Sequence, residues 1–179
     1  MHLNNERERI IYTLGHSNRT FKAFLEILKH YDIQCVIDVR RWPSSRKFPH
    51  FGRDYLLMNL PRHGIEYVWL GYALGGKRGY VKGAEKYRCF KAEGYRNYAA
   101  LMESREWKEA FDILMLIAKS KLSAIVCAER LPWRCHRKLI SDALLVNGFK
   151  VIHILGINNT IEHKLTKCAK VLDGKLMYI

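Results

Sequence analysis

Three short apolar runs each break off into a dense polar loop, and this repeated pattern constrains the fold more than any other feature. IIYTL (residues 10–14) stops at Gly15-His16-Ser17-Asn18-Arg19. CVIDV (residues 35–39) leads into Arg40-Arg41-Trp42-Pro43-Ser44-Ser45-Arg46, and LSAIVCA (residues 122–128) leads into Glu129 and the sequence RLPWRCHR. The second and third runs are nearly continuous in apolar character and rich in β-branched residues, as strands buried on both faces are. Between the first two, TFKAFLEILKHYD places Phe21, Phe24, Leu25 and Leu28 at helical spacing, which completes a strand, helix, strand unit.

The alternation continues. RDYLLMNL predicts a short helix limited by Pro61, and IEYVWL (residues 65–70) a third strand. A long glycine-rich segment follows, then a helix with Trp107, Phe111, Leu114, Met115 and Ala118 on one face. RKLISDALLVNG predicts a helix ending at Gly148, VIHIL a fifth strand, and the tail from Asn159 one further helix. The expectation is a single α/β domain over residues 10–179, preceded by a flexible basic and polar arm over residues 1–9. Its sheet would be five-stranded, mostly parallel, with helices on both faces. Such sheets bind ligands beyond the carboxyl ends of their strands, so the three polar loops should share one edge.

Of 179 residues, 49% are hydrophobic, enough for a buried core. The net charge of +14 favours polyanionic partners, nucleic acid or nucleotide, over basic ones. No apolar stretch suits a membrane span or a signal peptide, so a soluble cytoplasmic protein without membrane attachment is expected. The five cysteines, Cys35, Cys89, Cys127, Cys135 and Cys168, are odd in number and scattered, which reads as reduced thiols.

The loops hold the candidate chemistry. His16, Asp38, Glu129, Cys135 and His136 are the candidate catalytic residues, as proton carriers or, for Cys135, as a nucleophile whose thiol a helix N-terminus would acidify. Ser17, Arg19, Arg40, Arg46, Lys77, Arg78 and Arg137 are the candidate anion or nucleic-acid contacts. Asp38 inside an apolar strand requires a partner, with Arg40 and His16 both in reach. Basic and aromatic residues interleave from Lys77 to Tyr98, a composition suited to single strands or structured RNA. Cys127, Glu129, Cys135 and His136 are all metal-ligand types, so a divalent metal is conceivable. It is not the favoured reading, because no CxxC pair is present and neighbours such as Cys135 and His136 seldom point the same way off a helix start.

Taken together, TLGHSNR, DVRRWPSSR, IEYVWLGYALGG and CAERLPWRCHR resemble the domain-of-unknown-function 488 family over nearly the whole chain. The resemblance implies an α/β fold and marks His16, Ser17, Arg19, Asp38, Arg40, Arg46, Gly75, Gly76, Cys127, Glu129, Cys135, His136 and Arg137 as matching the family pattern. It implies no established activity. A weaker likeness to rhodanese-type domains rests on fold alone, since CAERLPWRCHR departs from a short CxxGxRS-type loop. Three readings therefore stand side by side: an enzyme acting on a phosphate-bearing substrate, a nucleic-acid-binding module without catalysis, and a thiol enzyme or sulfurtransferase.

Overall fold

The computed structural model describes residues 8–76 and 79–179. Five strands lie parallel, β1 (Arg9–Gly15), β2 (Cys35–Asp38), β3 (Glu66–Trp69), β4 (Ser123–Cys127) and β5 (Phe149–Gly156), and β6 (Asn159–Glu162) adds an antiparallel edge. The sheet order is β3-β2-β4-β1-β5-β6. The α/β architecture and mostly parallel sheet agree with the sequence reading, with six strands in place of five.

Side chains alternate along the strands between two cores. Val36, Ala124, Val126 and Ile154 face a layer built by α1 (Phe21–His30) and α2 (Arg53–Asn59). Ile37, Ile125, Cys127 and Val151 face the other layer, where α4 (Glu93–Leu101), α5 (Arg105–Ser120) and α6 (Arg137–Val146) pack. A single turn, α3 (Gly71–Leu74), follows β3. Among the described residues no helix is long and apolar enough to cross a membrane.

The tail corrects the expected final helix. After β6 the chain forms a two-stranded hairpin, β7 (Ala169–Leu172) and β8 (Lys175–Tyr178). Asp173 and Gly174 both have positive φ, 49° and 72°, the backbone that a tight two-residue hairpin turn requires and that Asp-Gly supplies. A second correction concerns the thiols: Cys89 and Cys168 are joined as a disulfide, while Cys35, Cys127 and Cys135 are free and buried.

The tail also closes a buried polar chain on the α6 side of the sheet. Asp142 of α6 accepts from His163 Nε2 at 2.8 Å, from the Thr166 backbone at 3.0 Å and from Tyr178 at 3.0 Å. His153 Nε2 meets His163 Nδ1 at 3.0 Å, and the Thr13 hydroxyl meets His153 Nδ1 at 2.7 Å. Burial, then the neighbouring His163 and Arg137, pulls His153 down to about 3.

Two predictions follow from this packing. Unfolded, His153 takes a proton near pH 6.5, whereas folded it stays neutral down to about 3. The unfolded chain binds the extra proton throughout that window, so stability falls as pH drops from about 6.5 towards 3, by a few kcal/mol. Denaturation titrations across pH should show this slope, reduced in His153→Gln; an unchanged slope in the variant contradicts the assignment. Separately, a β-carbon on Gly15 would overlap the backbone of Glu129 and Arg130, whereas one on Gly94 meets nothing. Gly15→Ala should cost about 3 kcal/mol by thermal or chemical unfolding, and Gly94→Ala in the helix α4 should be neutral or stabilising.

Candidate functional site

The helices that follow β1 and β4 leave these adjacent strands towards opposite faces: α1 packs into one core and α6 into the other. Neighbouring strands whose connections diverge open a crevice at their carboxyl ends, the usual ligand position in such sheets. The loops there are bonded directly to one another. His16 N donates to Cys127 O and Ser17 N to Ala128 O, both at 2.9 Å, while Val39 N donates to Val126 O at 3.1 Å. The structure therefore brings the three polar loops to one edge.

Asp38 is fully buried and its carboxylate is completely engaged. It accepts from Arg40 Nε at 2.9 Å, Arg40 Nη2 at 2.5 Å, the Arg40 backbone at 3.0 Å and the Tyr67 hydroxyl at 2.7 Å. Burial alone would lower the Arg40 pKa, but the hydrogen bonds and charge of Asp38 outweigh it and raise it. Tyr67, which the sequence did not single out, is pushed up by burial and by Asp38 and remains a donor. Arg40 Nη1 also donates to His16 Nε2 at 3.0 Å, and His16 Nδ1 donates to Ser17 O at 2.9 Å. Burial, reinforced by the Arg40 charge, lowers His16 to about 4, so the ring is neutral with both nitrogens occupied. His16 and Asp38 thus form a structural cluster that shapes the loop, rather than a free base.

Three arginines expected to grip an anion are likewise held internally. Arg19 donates to Gly15 O at 2.5 Å and Leu155 O at 2.8 Å. Arg137, only 1% exposed, donates to Glu129 O, to Thr13 Oγ1 at 3.4 Å and to Cys135 Sγ at 3.4 Å from Nε. Arg40 is saturated by Asp38 and His16. Ser17, at a strained φ of 52°, reaches only Asn18 at 3.4 Å, and Arg46 is exposed. Lys77 and Arg78 lie outside the described residues. The Glu129 side chain is exposed and accepts from Leu131 N at 3.0 Å.

The reactive groups gather elsewhere in the same crevice. Cys127, Cys135 and His136 bring two sulfurs and one ring nitrogen within 4.8 Å of one another, the set among the described residues that could hold a metal ion. Cys135, read as a candidate nucleophile at the start of α6, is 5% exposed. The reason is local: Pro132–Arg134 form a 3₁₀ turn, and Cys135 follows it in an extended conformation (φ −130°, ψ 150°) that turns its sulfur inward. That same bend lets neighbouring Cys135 and His136 face one point, with Sγ and Nδ1 3.7 Å apart, which a regular helix start would forbid. His136 Nε2 donates to Val39 O at 3.1 Å, so Nδ1 is the ring nitrogen that faces the sulfurs. The Cys127 thiol donates towards Cys135, and with His136 and Arg137 it holds Cys135 well below the usual thiol range. Cys127 is correspondingly raised, by that shared bond and by burial.

A groove of about 840 Å³ lies away from this crevice, among α4, α5, α6 and β8, and no cysteine or histidine lines it. We place no chemistry there.

No curated protein and no solved structure matches the chain. A family model described as a domain of unknown function, DUF488, matches residues 20–144, a span that includes β2, β4, the Asp38–Arg40 pair and the whole Cys127, Cys135 and His136 cluster. The chain belongs to the DUF488 family.

Proposed function

We propose that the protein is an enzyme acting on nucleic acid or a nucleotide at the β1/β4 crevice, with its chemistry centred on Cys127, Cys135 and His136. The observation that carries this reading is the layered arrangement of the strand-end loops. A buried sulfur and imidazole cluster sits inside, and exposed cations and flat rings lie outside on the same loops. Trp42 is 61% exposed, Tyr72 49% and Trp133 48%. Arg46, Arg130 and Arg134 are exposed in those loops, and Arg41 is half-buried with its guanidinium against Trp42 and Tyr72 O. Cations of this kind bind phosphates while the rings stack on bases. A binding module has no use for two buried free sulfurs gathered beside an oriented imidazole, so the interior favours catalysis over binding alone. Exposed Glu129 at the crevice mouth serves as the proton carrier.

A thiol mechanism is the second reading, supported by the acidified Cys135 at the approach to α6. It differs in needing Cys135 as a free nucleophile.

Fluorescence anisotropy with a labelled single-stranded oligonucleotide should show binding that weakens steeply with salt, because each neutralised phosphate releases counterions. Trp42→Ala should cost about 1–3 kcal/mol of affinity, and Arg134→Ala should reduce the salt slope by about 1. Binding that is absent, or indifferent to salt, would leave the +14 charge without this role.

A further inference from the structure

We propose that Cys127 Sγ, Cys135 Sγ and His136 Nδ1 form a three-ligand site for zinc, with a fourth position left for water or substrate. The donor chemistry selects the metal: two thiolates and an imidazole suit a tetrahedral, borderline-soft cation and not magnesium or calcium, which take oxygen ligands. Tetrahedral zinc, with bonds of about 2.3 Å to sulfur and about 2.0 Å to nitrogen, spaces such donors roughly 3.5–3.8 Å apart. Cys135 and His136 already stand 3.7 Å apart, and all three donors fall within 4.8 Å. The rest of the set needs only side-chain adjustment to close on an ion.

The surroundings point the same way. A metal-binding histidine typically donates its second ring nitrogen to a carbonyl or carboxylate, which fixes the tautomer and the ring plane. His136 does this through Nε2 and Val39 O at 3.1 Å. Cys135 Sγ accepts from the Arg137 backbone at 3.5 Å and from Arg137 Nε at 3.4 Å, the N–H to sulfur bonds that steady a thiolate ligand. Arg137 is in turn fixed by Glu129 O and Thr13, so its position does not depend on a ligand. Two thiolates neutralise a divalent ion, and the buried cluster then carries only the Arg137 charge, itself hydrogen-bonded throughout. Gly76 lies beside this centre: a β-carbon there would stand 3.8 Å from His136 Nδ1. Three protein donors plus one open position is the pattern of zinc sites that activate a bound water, which would give the proposed enzyme its nucleophile.

Cobalt(II) added to the whole, metal-stripped protein reads the site directly. One equivalent per chain should give the intense visible bands of a tetrahedral ion and a near-ultraviolet sulfur-to-cobalt charge-transfer band, both abolished by one equivalent of zinc. Cys135→Ser and His136→Ala should each weaken binding by more than the roughly 10–100-fold that loss of a supporting partner costs, while Cys35→Ser keeps the spectrum. Wild-type protein gives an independent readout that needs no variant: zinc should protect Cys127 and Cys135 from alkylation, mapped by peptide mass. A pale octahedral spectrum without charge transfer, or equal alkylation with and without zinc, overturns the site. Neither result depends on nucleic acid, so the site can fail while the oligonucleotide reading stands, and the reverse.

Discussion

The buried guanidinium of Arg137 is the constraint on which the rest of the crevice depends. A charge that is 1% exposed must find every partner inside the protein, because an unpaired buried cation is far too costly. Its partners come from three places: Glu129 O after β4, Thr13 on β1 and Cys135 just before α6. Meeting that demand draws together the two central strands and the helix that crosses from one side of β1 to the other. Thr13 then passes the polar chain on to His153, His163 and Asp142. The carboxy-terminal segment is thereby tied to the Cys135 sulfur through unbroken hydrogen bonds, and β6 and the hairpin complete the polar core instead of merely decorating the sheet.

A buried ion pair governs the opposite side of the crevice. Asp38 and Arg40 saturate one another, with Tyr67 and His16 taking the remaining positions. Breaking such a pair on one side costs about 3–5 kcal/mol, since the surviving charge stays buried. Its structural work is to turn the chain sharply after β2, so that Arg40 O can accept from Trp69 Nε1 at 2.8 Å and Val39 O can face His136. The sulfur and imidazole cluster is thus positioned by two charged anchors, neither of which needs to touch a substrate.

Much of this was legible in the chain. The apolar runs ending in polar loops are a direct print of parallel strands, and the rule for such sheets placed the loops on one edge. Strand order was not legible, because no local signal says that β4 inserts between β2 and β1; Tyr67 therefore escaped notice as a partner of Asp38. The arginines were read as ligand contacts, since a guanidinium is the same residue whether a phosphate or a carbonyl faces it, and only burial separates the two. Cys135 and His136 were not favoured to converge, because neighbours seldom point the same way off a regular helix start. The Pro132–Arg134 turn that invalidates this judgement was visible only as a proline. The terminal hairpin carried its Asp173-Gly174 signal, but short exposed strands with little apolar alternation gave periodicity nothing to detect.

Separating the arginines by burial changes what the basic composition means. Arg40 and Arg137 neutralise internal carboxylate, sulfur and carbonyl groups, so they contribute little free field at the surface. The outward positive potential belongs instead to side chains such as Arg46, Arg130 and Arg134, on flexible stems around the mouth. If the proposed function holds, an anionic substrate drawn in by those residues would meet an interior whose cations are already paired, and would gain nothing by displacing them. Such a substrate would be held at the rim and present one group to the cluster. In the proposed reading that group would meet His136 Nδ1 and the two sulfurs, which lie within 4.8 Å of one another, so that reaction would occur at a single position on a larger polyanion.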